Sequence, residues 1–488
     1  MAVGTGLRNA VRVRFSGRGP SVASAVYGAG AAICAAYFVS RVESGSLELV
    51  LPLCTLLAIG LAFAIMLQRL STGRLQFLEL GLVFVGCIVL YGGYPLASFL
   101  LSGQTFTDLG DVRLYDAQPR SSDIARIGWY YVLFLGCFAL AYLTSRGRSQ
   151  RRAVAIEAPG LNQIGVIVFL VLLAQVFFQA IRFFYGEAAQ TGYGGRYLAY
   201  LHLPLLVHQI ANHLDGVVLT LNLLLLTALM TRWKQSRVWV LAWLAAEAVV
   251  AISMPGSRTR LFLLLFGFVL NYHYLVKPLT LRMITSGAAL GLVLFIALGA
   301  LRTIRMLDDL GSAQGVLLLG GTEFESLFVN AFDLERRKAA GLTEQIGPML
   351  YLVDLMRLVP QQLLPWDKVD LADWYVQTFY PEYASMGGGL AFGVIAESVL
   401  GLGVPDLVWR GLAVGFVLGA LQRRFAGGNT SYLSFVLYLW VVLMAYQILR
   451  NTTFTLVPLF FYQFLPAVVA MLVLSRFLRA FIVARVHR

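Results

Sequence analysis

The chain has 488 residues, of which 59% are hydrophobic and 13% are charged, and its formal net charge is +13. Soluble globular domains are roughly 45–50% apolar and about 25% charged, so this composition excludes a soluble protein. The positive charge falls in short clusters between apolar runs, which does not indicate nucleic-acid binding. The four cysteines lie inside those runs, which argues against a disulfide framework or a metal site.

The apolar runs are about 17–25 residues long, which is the length that a helix needs to cross a hydrocarbon core. Inside a bilayer, helices satisfy all of their own backbone hydrogen bonds. The sequence therefore predicts an all-α polytopic membrane protein with about twelve transmembrane helices. The predicted spans are 22–40, 47–68, 76–100, 127–144, 161–184, 214–231, 238–254, 261–276, 283–301, 405–422, 431–449 and 454–475.

These spans divide the chain into regions. The basic N-terminus indicates a cytoplasmic segment followed by a signal anchor, because no small-residue cleavage site follows the first apolar run. A single long loop separates the ninth and tenth spans. The regions are the N-terminus at 1–21, helices 1–9 at 22–301, the long outer loop at 302–404, helices 10–12 at 405–475 and a basic cytoplasmic tail at 476–488.

Basic clusters between the spans predict which side of the membrane each loop occupies. Short loops that are rich in Lys and Arg stay in the cytoplasm. With twelve spans, "RGRSQRR" (146–152), "RWKQSR" (232–237) and Arg423/Arg424 all fall on that side. Counting 387–404 as a further span would place Arg423 and Arg424 outside. We therefore interpret 387–404 as a short or re-entrant helix at the outer face.

Several arginines break this trend, because they lie at the outer ends of different spans. Snorkelling or a local ion pair would explain any one of them. Arg305, for example, precedes Asp308 and Asp309 by three and four residues. As a group they predict an anion that is held at the outer surface. They are Arg258, Arg260, Arg302, Arg305 and Arg450.

The long outer loop contains two predicted amphipathic helices. The first begins at Thr322 in a capping box with Glu325, and it stops at Gly341. Its apolar stripe is Phe324, Leu327, Phe328, Ala331 and Phe332. The second occupies 347–359, ends before Pro360, and carries Asp354 and Arg357.

Candidate site residues outside the arginines are acids, aromatics and glycines. Glu323 and Glu397 are candidate catalytic acids or bases, although Glu323 could instead favour a helix dipole. Trp374 and Tyr380 could stack on sugar rings or anchor the chain at the membrane interface. The run Gly387, Gly388 and Gly389 would let the backbone approach a ligand or turn sharply. Glu247 lies within a span, where it is either functional or half of a buried pair.

Common catalytic signatures are missing from the sequence. It contains no P-loop, no dinucleotide-binding fingerprint, no HExxH zinc pattern and no G-x-S-x-G elbow. The predicted cytoplasmic loops are too short to bind a nucleotide sugar. Any chemistry therefore belongs to the outer face, where the energy must come with the substrate, for example in a pyrophosphate leaving group.

The string "MPGSRTRLF" between two spans, the long outer loop, and "MGGGLAFGVIAESVLGLGV" after it together resemble the Wzy-type O-antigen or oligosaccharide repeat-unit polymerases. The most specific part is Gly387–Gly389, Phe392, Gly393, Ile395 and Glu397. The likeness covers the overall topology and residues 250–460 in detail. It implies an integral-membrane glycosyltransferase of GT-C-like architecture in the bacterial inner membrane, with its active site facing the periplasm.

The resemblance also implies the reaction and its partners. The growing glycan leaves its undecaprenyl pyrophosphate carrier and joins the non-reducing end of a new lipid-linked repeat unit. No metal and no cofactor is expected. The five outer arginines would hold the diphosphates, Glu397 would be the first choice of general base and Glu323 the second. Membrane lipids are expected partners, and a chain-length regulator and a flippase of the same pathway are possible partners. No nucleic-acid partner is expected.

Two alternatives stay open at this level. An O-antigen ligase would transfer the polymer to lipid A core, and that family is expected to use a histidine in its long outer loop. Residues 302–388 contain no histidine, which favours a polymerase. A lipid or glycan transporter or flippase would need a polar path across the membrane and an inverted repeat, and neither is evident.

Overall fold

A computed structural model describes most of the chain after the first predicted span. It is helical apart from one two-residue antiparallel pair, Asp108–Leu109 with Val112–Arg113. The described residues are 50–71, 78–102, 108–109, 112–113, 120–146, 156–184, 205–253, 258–280, 283–284, 286–287, 291, 313–343, 346–359, 363–366, 368–385, 389–426 and 430–486.

The first half of the described chain forms long helices with short interruptions. A π-helical turn, Val89–Gly93, joins α2 to α3, and another, Tyr272–Val276, ends α8. The helices are α1 Val50–Ser71, α2 Leu80–Ile88, α3 Tyr94–Ser102, α4 Ser121–Ser145, α5 Leu161–Phe184, α6 Leu205–Met230, α7 Trp233–Ser253 and α8 Arg258–Asn271.

The second half begins with the helices of the predicted outer loop and ends with three long apolar segments. A π-helical turn, Phe460–Phe464, joins α17 to α18. The helices are α9 Ala313–Ala339, α10 Met349–Met356, α11 Leu371–Phe379, α12 Pro381–Ser385, α13 Val394–Leu400, α14 Val404–Ala426, α15 Tyr432–Met444, α16 Tyr446–Arg450, α17 Leu456–Leu459 and α18 Leu465–Val486.

Eight helical segments of the described residues are long and apolar enough to cross a membrane, which confirms a polytopic helical architecture. The predicted spans at 161–184 and 238–254 are also helical. The apolar part of α5 is the shorter segment Leu161–Phe177, and α7 carries Lys234, Arg237 and Glu247. The predicted span 22–40 lies outside the described residues, as does nearly all of 283–301. The eight are Val50–Leu67, Leu80–Leu100, Ser121–Ser145, His213–Met230, Thr259–Val276, Val404–Phe425, Tyr432–Arg450 and Leu456–Ala480.

Basic side chains collect at one end of the bundle, which we call the basic end, and the opposite end is the far end. Arg146 ends α4 there and pairs with Glu79, which immediately precedes α2. In α14, Arg423 and Arg424 lie in the last turn. The packing of α14 on α4 is parallel, so both helices run from the far end to the basic end. Their parallel direction agrees with the prediction that the basic residues after both helices share one side of the membrane.

A glycine seam allows α14 to lie against α4 at close range. Gly411, Gly415 and Gly419 are spaced four residues apart and therefore share one helix face. A Cβ on Gly411 would lie 2.9 Å from the Phe134 carbonyl oxygen, and a Cβ on Gly415 would meet the Phe138 carbonyl oxygen. Small residues at this spacing let two backbones approach, which maximises van der Waals contact where lipid removes the hydrophobic driving force.

Tyrosine hydroxyls cap the first amide groups of α2 at the basic end. The first amide groups of a helix lack partners within it. The Tyr142 hydroxyl accepts from Gly81 N at 3.1 Å and donates to Glu79 at 2.7 Å, and the Tyr438 hydroxyl accepts from Leu80 N at 3.3 Å. Because these tyrosines come from α4 and α15, the network also ties three transmembrane segments together.

The first outer-loop helix, α9, inserts beside the transmembrane helices. Phe328 stacks on Tyr131 with ring centroids 5.7 Å apart, and Phe324 contacts Tyr91 at 5.1 Å. The predicted apolar stripe is confirmed, since four of its five members are buried and Phe324 is half-buried.

The predicted start of this helix was wrong. The apolar run before Thr322 continues the helix back to Ala313, so Thr322 and Glu325 lie inside α9 and not at its start. The predicted stop at Gly341 is confirmed. This residue has φ +70°, and Leu342 N donates to the Arg337 carbonyl oxygen at 2.9 Å, as in a Schellman motif.

Candidate functional site

The string that resembles the polymerases folds into a buried element at the far end. Every residue of α13 is buried, and Phe392 is 1% exposed. Gly393 begins the helix with φ +86°, a conformation that favours glycine. Its N–H donates to the Asn451 carbonyl oxygen at 3.0 Å. At seven residues, α13 agrees with the prediction of a short helix in 387–404 and is too short to cross the membrane.

Glu397 on α13 meets Arg410 on α14 in a fully enclosed ion pair. Arg410 Nη1 lies 2.7 Å from Glu397 Oε1, and its Nε donates to Asp406 Oδ2 at 2.9 Å. The Tyr351 ring covers the guanidinium at 4.7 Å from its centroid, and the Tyr351 hydroxyl is bonded to Asp406. Thr453 completes the cluster, since its N–H and hydroxyl both donate to Glu397 Oε2 at 2.9 Å. We call Tyr351, Asp354, Glu397, Asp406, Arg410 and Thr453 the acidic cluster.

Charge within the acidic cluster is unbalanced. Three carboxyl groups, on Asp354, Glu397 and Asp406, surround the single guanidinium of Arg410. Asp354 is 2% exposed, and neither of its oxygens has a hydrogen-bond partner in the described structure when both it and Glu397 are ionised. A proton on Glu397 removes the repulsion and gives Asp354 a donor. Burial, opposed by Arg410 and reinforced by Asp354, raises the pKa of Glu397 well above its ordinary value.

The turn at 451–453 connects the acidic cluster to a second set of groups. Thr453 faces Glu397, whereas the neighbouring Thr452 accepts a hydrogen bond from Arg357 Nη1 at 3.4 Å. Arg450, one of the predicted diphosphate ligands, ends α16 just before this turn. Three arginines from separate helices, at 357, 410 and 450, are thus brought to one turn at the far end.

An ion pair joins the end of α10 to the start of α11. Asp370 accepts from Arg357 Nη2 at 2.8 Å while capping α11 through Ala372 N at 2.9 Å. A cavity of about 240 Å³ lies between α10 and the described residues that precede α11. We call it the loop cavity. Its lining residues are Met349, Leu352, Val353, Met356, Arg357, Leu364, Trp366, Lys368 and Val369.

Tyr380 and Trp374 have structural partners in the same loop region. The Tyr380 hydroxyl donates to Asp333 Oδ2 at 2.7 Å, and Tyr375 and Arg337 donate to the same oxygen at 2.7 Å and 2.8 Å. Tyr380 is 8% exposed. Trp374 is half-buried and packs edge-on against a phenylalanine of its own helix. Tyr380 therefore fastens α11 to α9.

Arg260 lies in a separate intramembrane cluster at the far end. It donates from Nη2 to Glu247 Oε2 at 2.8 Å, and its Nη1 lies 3.7 Å from Asp215 Oδ1. Gln175 donates to the other oxygen of Glu247 at 2.8 Å. The ion pair explains how a 7% exposed arginine is tolerated within apolar surroundings. Of the two roles predicted for Glu247, the structure therefore shows the second, which is half of a buried pair.

The structure describes the other predicted site residues only in part. Arg258 begins α8 and Glu323 lies within α9, but their side chains are outside the described structure. Arg302, Arg305, Gly387 and Gly388 lie outside it altogether. Gly389 is exposed, and a Cβ there would meet nothing within 4 Å. Among the described residues, no group of three or more His, Cys, Asp or Glu side chains is placed to hold a metal ion.

Several residues of the far-end assembly were not predicted as site residues. Asp406 and Arg410 carry a local signal, since they are four apart on one helix. Asp354 and Arg357 were visible as the polar positions of a predicted amphipathic helix. Their convergence with Thr452, Thr453 and Lys368 has no signal in one sequence.

No family model, curated protein or solved structure matches this chain.

Proposed function

We propose that this protein is a polysaccharide repeat-unit polymerase whose far end faces the periplasm of a bacterial inner membrane. It would transfer a glycan from undecaprenyl pyrophosphate onto the non-reducing end of a second lipid-linked unit. The likeness of 250–460 to the Wzy-type polymerases motivates the reaction. The arrangement of polar groups in the described structure supports chemistry at one end of the bundle.

The observation that carries this proposal is the separation of two polar networks by a packed layer. The acidic cluster occupies the far end, and the Glu79–Arg146 network occupies the basic end. Between them, the described helices α2 and α4 contribute large apolar side chains that are 0% exposed: Phe84, Phe134 and Phe138. A passage for a polar substrate would need polar groups across this layer. The packing therefore favours an enzyme over a transporter.

The far-end arginines suit the proposed leaving group. A departing pyrophosphate gains negative charge, and fixed cations stabilise that charge as it develops. The planar guanidinium matches phosphate oxygens in pairs. Arg450 and Arg357 flank the turn at 451–453, and Arg258 begins α8 at the same end. Arg260, also predicted as a ligand, is instead buried in its ion pair with Glu247. Arg302 and Arg305 remain candidates from the sequence alone.

Glu397 has a positioning role in this proposal. Its carboxyl group contacts Arg410 and Thr453 and is 0% exposed, so it reaches no substrate in this conformation. It fixes the turn that carries Arg450 and Thr452. Glu323, on α9, stays the second candidate for the general base.

Reconstitution with lipid-linked repeat units tests the proposal. Purified protein in liposomes should convert these units into a ladder of longer glycans without nucleotide. The variant Glu397→Ala should lose the ladder, whereas the exposed control Glu382→Gln should keep it. Transfer only onto lipid A core would identify a ligase, and absence of any new glycosidic bond from well-folded protein would reject glycosyl transfer.

A further inference from the structure

The start of α7 lies at the basic end of the bundle. Trp233, the first residue of α7, contacts Tyr272 with ring centroids 5.7 Å apart, and Tyr272 begins the π-helical turn that ends α8. In the same turn, Tyr274 packs edge-on against Phe425, which follows Arg424 in the last turn of α14. The beginning of α7 is therefore at the level where α14 ends.

Hydrogen bonds hold α7 against α6, the helix that precedes it. The Ser236 hydroxyl donates to the Leu229 carbonyl oxygen near the end of α6. Two turns further along α7, Trp243 Nε1 donates to Asn222 Oδ1 of α6 at 2.8 Å. Groups on the outer face of α7 are therefore carried by a rigid element, which is the support that a binding site needs.

Two cations, Lys234 and Arg237, lie on this outer face without a neutralising acid. Both are exposed, and a spacing of three residues places them on one side of the helix. Neither forms an ion pair with any residue that the structure describes. Glu247, the next acid in α7, is instead paired with Arg260 at the far end. Lys234 lies in the first helical turn, where the helix dipole disfavours a cation, and like charges at this spacing repel. An anion at this face would relieve both costs.

The same face of α7 continues as an exposed apolar stripe. Val238, Leu241 and Val249 are 68%, 56% and 68% exposed, and their spacing keeps them in line with the two cations. An exposed apolar surface beside membrane-spanning helices is suited to acyl chains. From Arg237 to Val249 the helix rises about 18 Å, slightly more than half of a hydrocarbon core of about 30 Å. Trp239, which is also exposed, lies at the level that interfacial tryptophans occupy.

We propose that this face of α7 binds an anionic phospholipid, with its phosphate between Lys234 and Arg237 and its acyl chains along Val238, Leu241 and Val249. A lipid fits better than an acidic protein, because the cations continue directly into an apolar stripe one leaflet long. An anionic lipid fits better than a zwitterionic one, because the ammonium of an ethanolamine headgroup would meet two cations and no acid. The site does not depend on the proposed glycosyl transfer.

A photocrosslinker at position 241 tests which lipid lies on this face. The full chain with benzoylphenylalanine in place of Leu241 is reconstituted in liposomes of equal phosphatidylglycerol and phosphatidylethanolamine, and mass spectrometry identifies the lipid adducts. Phosphatidylglycerol adducts should exceed phosphatidylethanolamine adducts at least fivefold, because each Lys or Arg beside an anionic headgroup contributes about fivefold. The same crosslinker in place of Phe169, an exposed residue of α5, should capture the two lipids equally.

Charge substitutions show whether the two cations cause the enrichment. Lys234→Gln with Arg237→Gln should reduce the ratio at position 241 to that of the bulk lipid, and Arg237→Gln alone should give an intermediate ratio. Arg120→Gln, which changes an exposed arginine at the far end, is the matched control and should keep the parent ratio. Thermal unfolding should not change in any of these variants, because the substituted side chains are exposed.

Several results would overturn the lipid site. These are equal capture of the two lipids at position 241 of the parent, the same enrichment at position 169, or an enrichment that survives the double substitution. Capture of a protein in place of any lipid, with the same crosslinker in cell membranes, would also reject it. Rising salt should lower the enrichment, since exposed charges are screened, and an enrichment that ignores salt would contradict recognition by charge.

This site and the proposed polymerase fail separately. Enrichment of phosphatidylglycerol at position 241 without any glycan ladder would keep the lipid site and reject the polymerase. A ladder from a protein that captures both lipids equally would keep the polymerase and reject the site.

Discussion

Arg410 and Glu397 form an ion pair in which neither side chain is exposed at all, with Nη1 2.7 Å from Oε1. Taking two charges out of water is unfavourable, so such a pair survives only where further hydrogen bonds satisfy both groups. Asp406 and Thr453 provide those bonds. The pair holds α13 against the start of α14 and against the turn at 451–453.

Removing one partner of this pair should be strongly destabilising. Arg410→Met leaves buried carboxyl groups without a counter-charge, and we expect a loss of about 3–5 kcal/mol in unfolding free energy. Glu397→Gln should cost less than about 1.5 kcal/mol, because the amide keeps the shape of the carboxyl group and removes its repulsion from Asp354. Chemical denaturation in detergent measures both. A larger loss for Glu397→Gln than for Arg410→Met would contradict the excess of negative charge in the acidic cluster.

The raised pKa of Glu397 predicts how stability depends on pH. The folded protein holds the Glu397 proton more tightly than the unfolded chain. The stabilisation of the folded protein from this group is therefore complete below the ordinary pKa of 4.5. It is lost as pH rises from there through the folded pKa. The melting temperature should fall with rising pH, and Glu397→Gln should flatten that slope. The control Glu382→Gln should keep the parent slope, and a parent whose melting temperature rises over this range would refute the prediction.

Gly393 should tolerate no side chain, in contrast to Gly389. A Cβ on Gly393 would lie 2.7 Å from Leu327 Cδ2 and 3.0 Å from the Leu449 carbonyl oxygen, at φ +86°. We expect Gly393→Ala to cost roughly 2–4 kcal/mol from backbone strain and overlap. Gly389→Ala should leave stability unchanged. If Gly389→Ala nevertheless abolishes the glycan ladder, the predicted role of this glycine in substrate approach gains support.

A larger side chain at Gly415 should disrupt the glycine seam, whereas a larger side chain at a glycine on another face should not. Gly415→Val should separate α14 from α4 and lower the melting temperature by several degrees, because overpacking typically costs about 1–3 kcal/mol. Gly136→Ala, on α4 itself, meets nothing within 4 Å and should be neutral. Equal effects of the two substitutions would show that the seam is not a close contact.

Tyr380→Phe should affect stability rather than substrate recognition. The hydroxyl is one of three donors to Asp333 Oδ2, and losing a hydrogen bond to a charged group costs about 1.5–3 kcal/mol. The KM for lipid-linked units should stay within about twofold of the parent. A large rise in KM without loss of stability would restore the predicted role of Tyr380 in sugar binding.

The sequence predicted features that depend on neighbouring residues alone. Hydropathy located the eight spans that the described helices contain, and loop charge predicted the parallel direction of α4 and α14. The prediction that α9 stops at Gly341 followed from the backbone freedom of glycine. The start of α9 was mispredicted because Thr322 and Glu325 match a capping box by spacing, while the preceding apolar run extends the helix. A local pattern cannot exclude a longer helix.

The contacts between distant segments could not be predicted in the same way. Glu247 and Arg260 are only 13 residues apart, yet their pairing depends on how α7 and α8 pack. The Gly411–Gly415–Gly419 spacing is visible in the sequence and indicates a close helix neighbour. It does not identify α4 as that neighbour. The approach of Asp354 to Glu397 depends on the folding of the entire outer loop.

The seam between α4 and α14 also has a consequence for biosynthesis. Ser145 donates to the Gly415 carbonyl oxygen across 270 residues of sequence. While the ribosome is still translating the outer loop, the α4 surface that carries Phe134 and Phe138 has no α14 to cover it and must rest against lipid or an insertion factor. A nascent chain arrested before Val404 would therefore contain most of the spans but an open bundle, and a separately expressed C-terminal fragment would be the piece that closes it.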